Sequence, residues 1–109
     1  MRWAKLEVAP MTVTIFRSRL NSEHAAAYYE MAARMRTLAE GMPGFISFKT
    51  FNAEDGERVS IIEFESEETL RAWREHPEHR EAQALGRTVF YAEFQIQVCS
   101  IIRQYGSHN

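Results

Sequence analysis

The feature that most constrains this chain is a strict two-residue alternation near its end. Phe90, Ala92, Phe94, Ile96 and Val98 alternate with Tyr91, Glu93, Gln95 and Gln97. A period of two puts each set on its own face of a β-strand, one apolar toward a core and one polar away from it. Ile101 and Ile102 carry the pattern on to roughly 12 residues, long for a strand in a small domain. Such a strand overhangs its sheet and leaves an unpaired edge, which needs a partner. A second copy of the chain is the simplest one.

The rest of the chain supplies the elements that such a strand must join. Thr12–Leu20 is a strand, with Val13 and Ile15 alternating against Thr12, Thr14 and Phe16. Asn21 or Ser22 caps a helix that runs to about Glu40, in which Tyr28, Met31, Met35 and Leu38 share one face. Gly41 closes it at C′, and Pro43 prevents continuation. Phe45–Phe51 and Arg58–Glu65 form a hairpin around Asp55-Gly56. Ser66 caps the next helix, Glu67 and Glu68 favour its positive end, and Leu70 and Trp73 share a face. Pro77 breaks the path after His76, and a second helical piece runs from Glu78 to about Leu85, ending near Gly86. The order β-α-β-β-α-β is the ferredoxin-like split βαβ, an α+β fold with an antiparallel sheet.

A chain of 109 residues holds one domain. The expected division is a loose arm or short extra strand at 1–11, the domain at 12–102 and a polar tail at 103–109. Hydrophobic residues are 45% of the total, enough for a packed core. Thirteen basic and 15 acidic residues, a net charge of −2, argue against a nucleic-acid or anionic-membrane partner. Cys99 is the single cysteine, so no intrachain disulfide or thiolate zinc site is expected. It reads as a buried packing residue on the last strand. The charged N-terminus lacks the apolar run of a signal peptide, and no apolar stretch spans a membrane. A cytoplasmic protein is expected.

Three segments together resemble a known family. They are Met42-Pro-Gly-Phe-Ile-Ser-Phe, the Asp55-Gly56 hairpin and Glu63-Phe-Glu-Ser-Glu-Glu-Thr-Leu-Arg-Ala-Trp73. With His76-Pro-Glu-His79-Arg and the last strand, they look like the antibiotic biosynthesis monooxygenase domain family over residues 12 to 102. That resemblance implies a dimeric α+β barrel with a ligand pocket between sheet and helices. Some members oxygenate quinols, anthrones or naphthacenes with molecular oxygen and without metal or flavin, so no cofactor is expected. Others degrade haem, a branch that needs an Asn on the first strand, a Trp and a haem-ligating His. Trp73 matches, but Ser18 and Gln83 stand where the Asn and His belong, so haem degradation ranks as a distant third reading.

The residues themselves leave alternatives. His76 and His79 are a patch at a pocket mouth, with His79 as general base for a phenolic proton, or else ordinary helix-terminus side chains. Trp73 stacks on a flat substrate or is core. Met35, Phe48 and Phe64 make an adaptable apolar wall or simply a core. Ser18 and Tyr91 are polar strand residues that face either substrate or sheet surface. Pro77 spoils a regular His76–His79 pair and no third ligand is evident, so no metal is expected. The expected function is a cofactor-independent monooxygenase with His79 and Trp73 catalytic. Met35, Phe48, Phe64, His76, Ser18 and Tyr91 would bind a small aromatic ligand in a homodimer. The alternative is a dimeric small-molecule-binding module without catalysis.

Overall fold

The computed structural model describes residues 2–5 and 11–108. In chain order the elements are β1 (Arg2–Lys5), β2 (Thr12–Leu20), a 3₁₀ turn (Ser22–His24), α1 (Ala25–Glu40), β3 (Phe45–Asn52) and β4 (Arg58–Phe64). There follow α2 (Glu67–Arg74), α3 (Pro77–Leu85), a π-helical turn (Gly86–Phe90), β5 (Tyr91–Ser100) and β6 (Tyr105–His108). Strands β3, β4, β2 and β5 form an antiparallel sheet in that order. Helix α1 therefore crosses over β4 to reach β3, and α2–α3 cross over β2 to reach β5. This is the split β-α-β-β-α-β of an α+β ferredoxin-like fold.

Alternation decides which face the helices cover. Thr14 pairs with Ile62 and Val98, and all three face the helices. Ile15 pairs with Ile61 and Gln97 on the opposite face, which no described helix covers. The core sits under α1 and α2, where Ala39, Phe64, Leu70 and Trp73 are buried and Met35, Leu38, Phe45, Phe48 and Ile62 pack around them. Phe64 is fully buried and meets the Phe45 ring edge-on at 5.9 Å.

Local chemistry fixes the joints. Ser66 Oγ accepts from Thr69 N–H and Thr69 Oγ1 accepts from Ser66 N–H, both at 3.1 Å, a reciprocal cap on α2. The Thr69 side chain packs so tightly against Gly44 that a Cβ there would lie 2.6 Å from it, and Gly44 has φ +80°. Only glycine satisfies both conditions. Asn21, the first of the two expected caps, accepts from Glu23 N–H.

The structure also departs from expectation at several points. Gly41 ends α1 in right-handed geometry (φ −87°, ψ −5°) and not as a left-handed cap. Helix α3 ends at Leu85 as expected, but from Gly86 (φ −57°, ψ −50°) the chain widens into the π-helical turn, which puts Phe90 in the interior and starts β5 at Tyr91 and not at Phe90. Ile101 and Ile102 do not extend β5, because β2 begins at Thr12 and its partner Ser100 is the last residue with a neighbour; Ile102 is 88% exposed. The polar tail holds a strand, β6, paired antiparallel with β1 of the N-terminal arm. Cys99, opposite Val13 on the uncovered face, is half-buried and free.

Candidate active site

Helices and sheet do not close on each other everywhere. Between them lies a cavity of about 390 Å³. Its sheet side carries Thr14 and Phe16 from β2, Phe48 from β3, Ser60 and Ile62 from β4, and Phe94, Ile96 and Val98 from β5. The helix side carries Tyr28, Met31 and Met35 from α1, at the three- and four-residue spacing of one helix face. Trp73, His79, Gln83 and Tyr91 complete the wall, and Arg74 and Arg87 add charge. The lining is mostly apolar with a few converging polar groups, the usual constitution of a small-molecule site.

The centre of the site follows from one proline. In an unbroken helix the Trp73 carbonyl would accept from the N–H of residue 77. Proline has no N–H and disfavours helical geometry in the residue before it. His76 accordingly has an extended ψ of 132°, and α2 and α3 are separate helices. The Trp73 carbonyl instead accepts from His76 N–H and from His79 Nδ1, each at 3.1 Å. A carbonyl oxygen only accepts, so Nδ1 carries the imidazole proton and Nε2 keeps its lone pair. The same bond lays the imidazole on the indole of Trp73, with centroids 3.8 Å apart and planes 16° from parallel.

Burial pushes the His79 pKa down, against a smaller upward pull from the Trp73 carbonyl and a further downward one from His76. Burial thus favours the neutral ring, and Nε2 has no hydrogen-bond partner among the described residues. Arg34 fixes the start of α3 by a two-pronged pair to Glu78 (3.0 and 2.8 Å), which holds that carboxyl below its ordinary range. At the other end of the wall, burial and the Tyr28 hydroxyl push the Tyr91 phenol far up.

Of the residues expected from sequence, Trp73, His79, Met35, Phe48 and Tyr91 are brought together around the cavity. Trp73 is both core and wall, being 2% exposed. Three are not brought there. His76 is spent as the cap of α3, its Nδ1 accepting from Glu78 N–H at 3.2 Å. Phe64 lies beneath the wall in the core. Ser18 is buried in the sheet, level with Arg58 and Phe94, outside the lining. Arg17 points the other way and pairs with Glu57 at 3.0 Å. Sequence reasoning missed Thr14, Phe16, Ser60 and the β5 row Phe94–Ile96–Val98 as wall. The alternation already put the strand residues on one face, but which face held the cavity needed the helices in place. Among the described residues no group of three His, Cys, Asp or Glu side chains is arranged to hold a metal, and no helix is long and apolar enough to cross a membrane.

Residues 11–85 match the family model of antibiotic biosynthesis monooxygenases. The chain belongs to the antibiotic biosynthesis monooxygenase family. Within this family's range, a Bacillus subtilis (strain 168) protein, the uncharacterized YqjZ, is 33% identical over 101 residues, spanning 93% of this chain and 88% of its own. The fold recurs in Rv0793 from Mycobacterium tuberculosis, with TM-score 0.77 and 18% identity over 86% of this chain and 97% of that one. It recurs also in SnoaB, a cofactor-independent oxygenase from Streptomyces nogalater, with TM-score 0.72 and 15% identity over 88% of this chain and 97% of that one. At these identities the two structures speak for the fold alone. The fold of these neighbours agrees with the α+β architecture described above.

Proposed function

We propose that this protein is a cofactor-independent monooxygenase that oxidises a small phenol, quinol or anthrone-like substrate with molecular oxygen. The observation that carries the reading is His79: a neutral imidazole with its proton fixed on Nδ1, opening on an apolar cavity. A base of this kind takes a phenolic proton at neutral pH. The imidazolium that results lies on the indole face of Trp73, which attracts a cation more than a neutral ring, so the stack tightens as charge develops. The fold's recurrence in SnoaB, named as a cofactor-independent oxygenase, is consistent with it.

The electron-rich anion then transfers an electron to oxygen, and recombination forms a carbon–oxygen bond to a peroxide. The imidazolium returns its proton to the peroxide, and loss of water leaves a carbonyl. For an anthrone methylene the balance is one CH₂ and one O₂ giving one C=O and one water. Met31, Met35, Phe48 and Phe94 supply an adaptable wall for a flat substrate and exclude water from the intermediate.

The working form is a homodimer. Ile15 and Ile61 form an apolar row on a sheet face without helices, and the edge strand β5 leaves Phe94, Ile96 and Val98 about half exposed. The test of the activity is oxygen uptake by metal-stripped protein over hydroquinones, naphthols and anthrones. Uptake above the uncatalysed rate is expected. No uptake with any of them, while ligands still bind, would replace this reading with a binding module.

A further inference from the structure

The cavity has polar groups at both ends, and the chemistry above uses only one of them. Trp73, His79 and Met35 stand at one end, Tyr28 and Tyr91 at the other. Chain geometry separates them. Tyr28 and Met35 stand seven positions apart along α1, and His79 and Gly86, where the turn toward Tyr91 begins, stand seven apart along α3 and its end. At 1.5 Å per residue each interval is about 10 Å. The cavity therefore extends from an imidazole pole to a phenol pole.

The phenol pole is held as firmly as the imidazole one. Tyr28 is 6% exposed yet lines the cavity. Its ring meets Tyr91 and Phe90 edge-on, with centroids at 5.6 and 5.8 Å. The Arg58 guanidinium lies over the Tyr28 ring at 5.3 Å and over Tyr29 at 5.2 Å, and pairs with no carboxylate among the described residues. A cation on the face of a phenol ring draws electron density from it and strengthens the hydroxyl as a donor. Tyr91 beside it stays protonated at any physiological pH. The Tyr28 and Tyr91 hydroxyls lie within hydrogen-bond reach of each other. A bond between two hydroxyls uses one of their two protons, and a ligand long enough to reach from His79 would accept the other.

We propose that Tyr28, poised by Arg58 and flanked by Tyr91, is a specificity-determining hydrogen-bond donor to an oxygen at the end of the ligand remote from His79. The proposal rests on reading the cavity as a phenol or quinol site. Within that class it selects ligands with an oxygen at both ends, a 1,4-dihydroxyarene over a monophenol. Tyr28 is here a positioning residue and not a proton carrier.

The experiment is calorimetric titration under argon of the whole protein with 1,4-dihydroxynaphthalene and, separately, 1-naphthol. One neutral hydrogen bond corresponds to about a 2- to 12-fold preference for the diol. Tyr28→Phe is expected to abolish that preference while leaving 1-naphthol affinity unchanged. A preference that survives in Tyr28→Phe, or an equal loss for both probes, would overturn the proposal, since the second result is what a merely structural ring would give. Should Tyr28→Phe fail to fold, Arg58→Met is expected to shrink the preference, and a preference unchanged in that variant overturns the proposal. Absence of any diol preference in the unaltered protein, or of any binding, overturns it too. Oxygen uptake is read separately. An intact preference without uptake leaves the phenol pole standing and removes the oxygenase; uptake without preference does the reverse.

Discussion

Replacing His79 by phenylalanine separates chemistry from packing at the centre of the site. The substituted ring occupies the same place on Trp73 and keeps the stack, an interaction of about 0.5–1.5 kcal/mol. It loses the Nδ1–H bond to the Trp73 carbonyl, about 0.5–1.5 kcal/mol, but that carbonyl still accepts from His76 N–H. It also removes a desolvated Nε2, which offsets part of the loss. The net change in stability is then about 1 kcal/mol or less, a Tm shift within about 4–8 °C for a chain of this size. The effect on turnover is of another order. A positioned general base contributes about 10²- to 10⁴-fold, or roughly 3–5 kcal/mol of barrier. Oxygen-electrode rates and thermal unfolding measured on one preparation test both numbers. A folded His79→Phe protein whose uptake stays within threefold of the unaltered one would refute the assignment of His79 as base.

Further consequences can be checked. Because burial lowers the His79 pKa, the unfolded chain binds that proton more readily than the folded one. The contribution of His79 is therefore complete above its ordinary pKa of about 6.5 and declines as the pH falls below it; urea denaturation at pH 7.5 and 5.5 should show a loss that His79→Phe abolishes. Pro77→Ala restores a backbone N–H and frees His76 to turn helical, so it should draw the Trp73 carbonyl away from His79 and lower activity while changing Tm by only a few degrees, about 1 kcal/mol; unchanged turnover would contradict the proline argument. Gly44→Ala combines a φ of +80° with a clash against Thr69 and should cost about 2–4 kcal/mol in urea denaturation. Sedimentation should give about twice 12.7 kDa, and Ile15→Glu should yield monomer; a monomeric unaltered protein at micromolar concentration would sink the dimer.

Much of the fold was legible because its signals are local. Strict alternation marked β2 and β5, Asp55-Gly56 marked the hairpin, and Ser66 and Pro77 marked the helix boundaries where local hydrogen bonding and φ leave little choice. What escaped depends on partners distant in sequence. The strand β6 exists through β1, over 100 residues earlier, and β5 stops where β2 runs out. Gly86 reads as a helix end and does follow the last residue of α3, but what requires a glycine there is the Tyr91 ring, 2.6 Å from where its Cβ would stand. The site divides the same way. Trp73 stood out as core or pocket wall from its spacing to Leu70, and His76 and His79 as a pair beside it, but that His79 faces the cavity while His76 is consumed as a cap is a distinction made by three-dimensional geometry. Tyr28 read as core or apolar wall on a helix face, and its polar surroundings were not legible, since neither Tyr91 nor Arg58 is near it in sequence.

The central claim is that the neutral His79 lets substrate react directly with oxygen. Its most direct test is to supply ¹⁸O₂ to metal-stripped protein with an anthrone and weigh the quinone product. The account predicts that one labelled oxygen atom enters each product molecule in the unaltered protein, with formation slowed at least a hundredfold in His79→Phe. Product oxygen drawn from water, or labelled product formed equally well by His79→Phe, would contradict it.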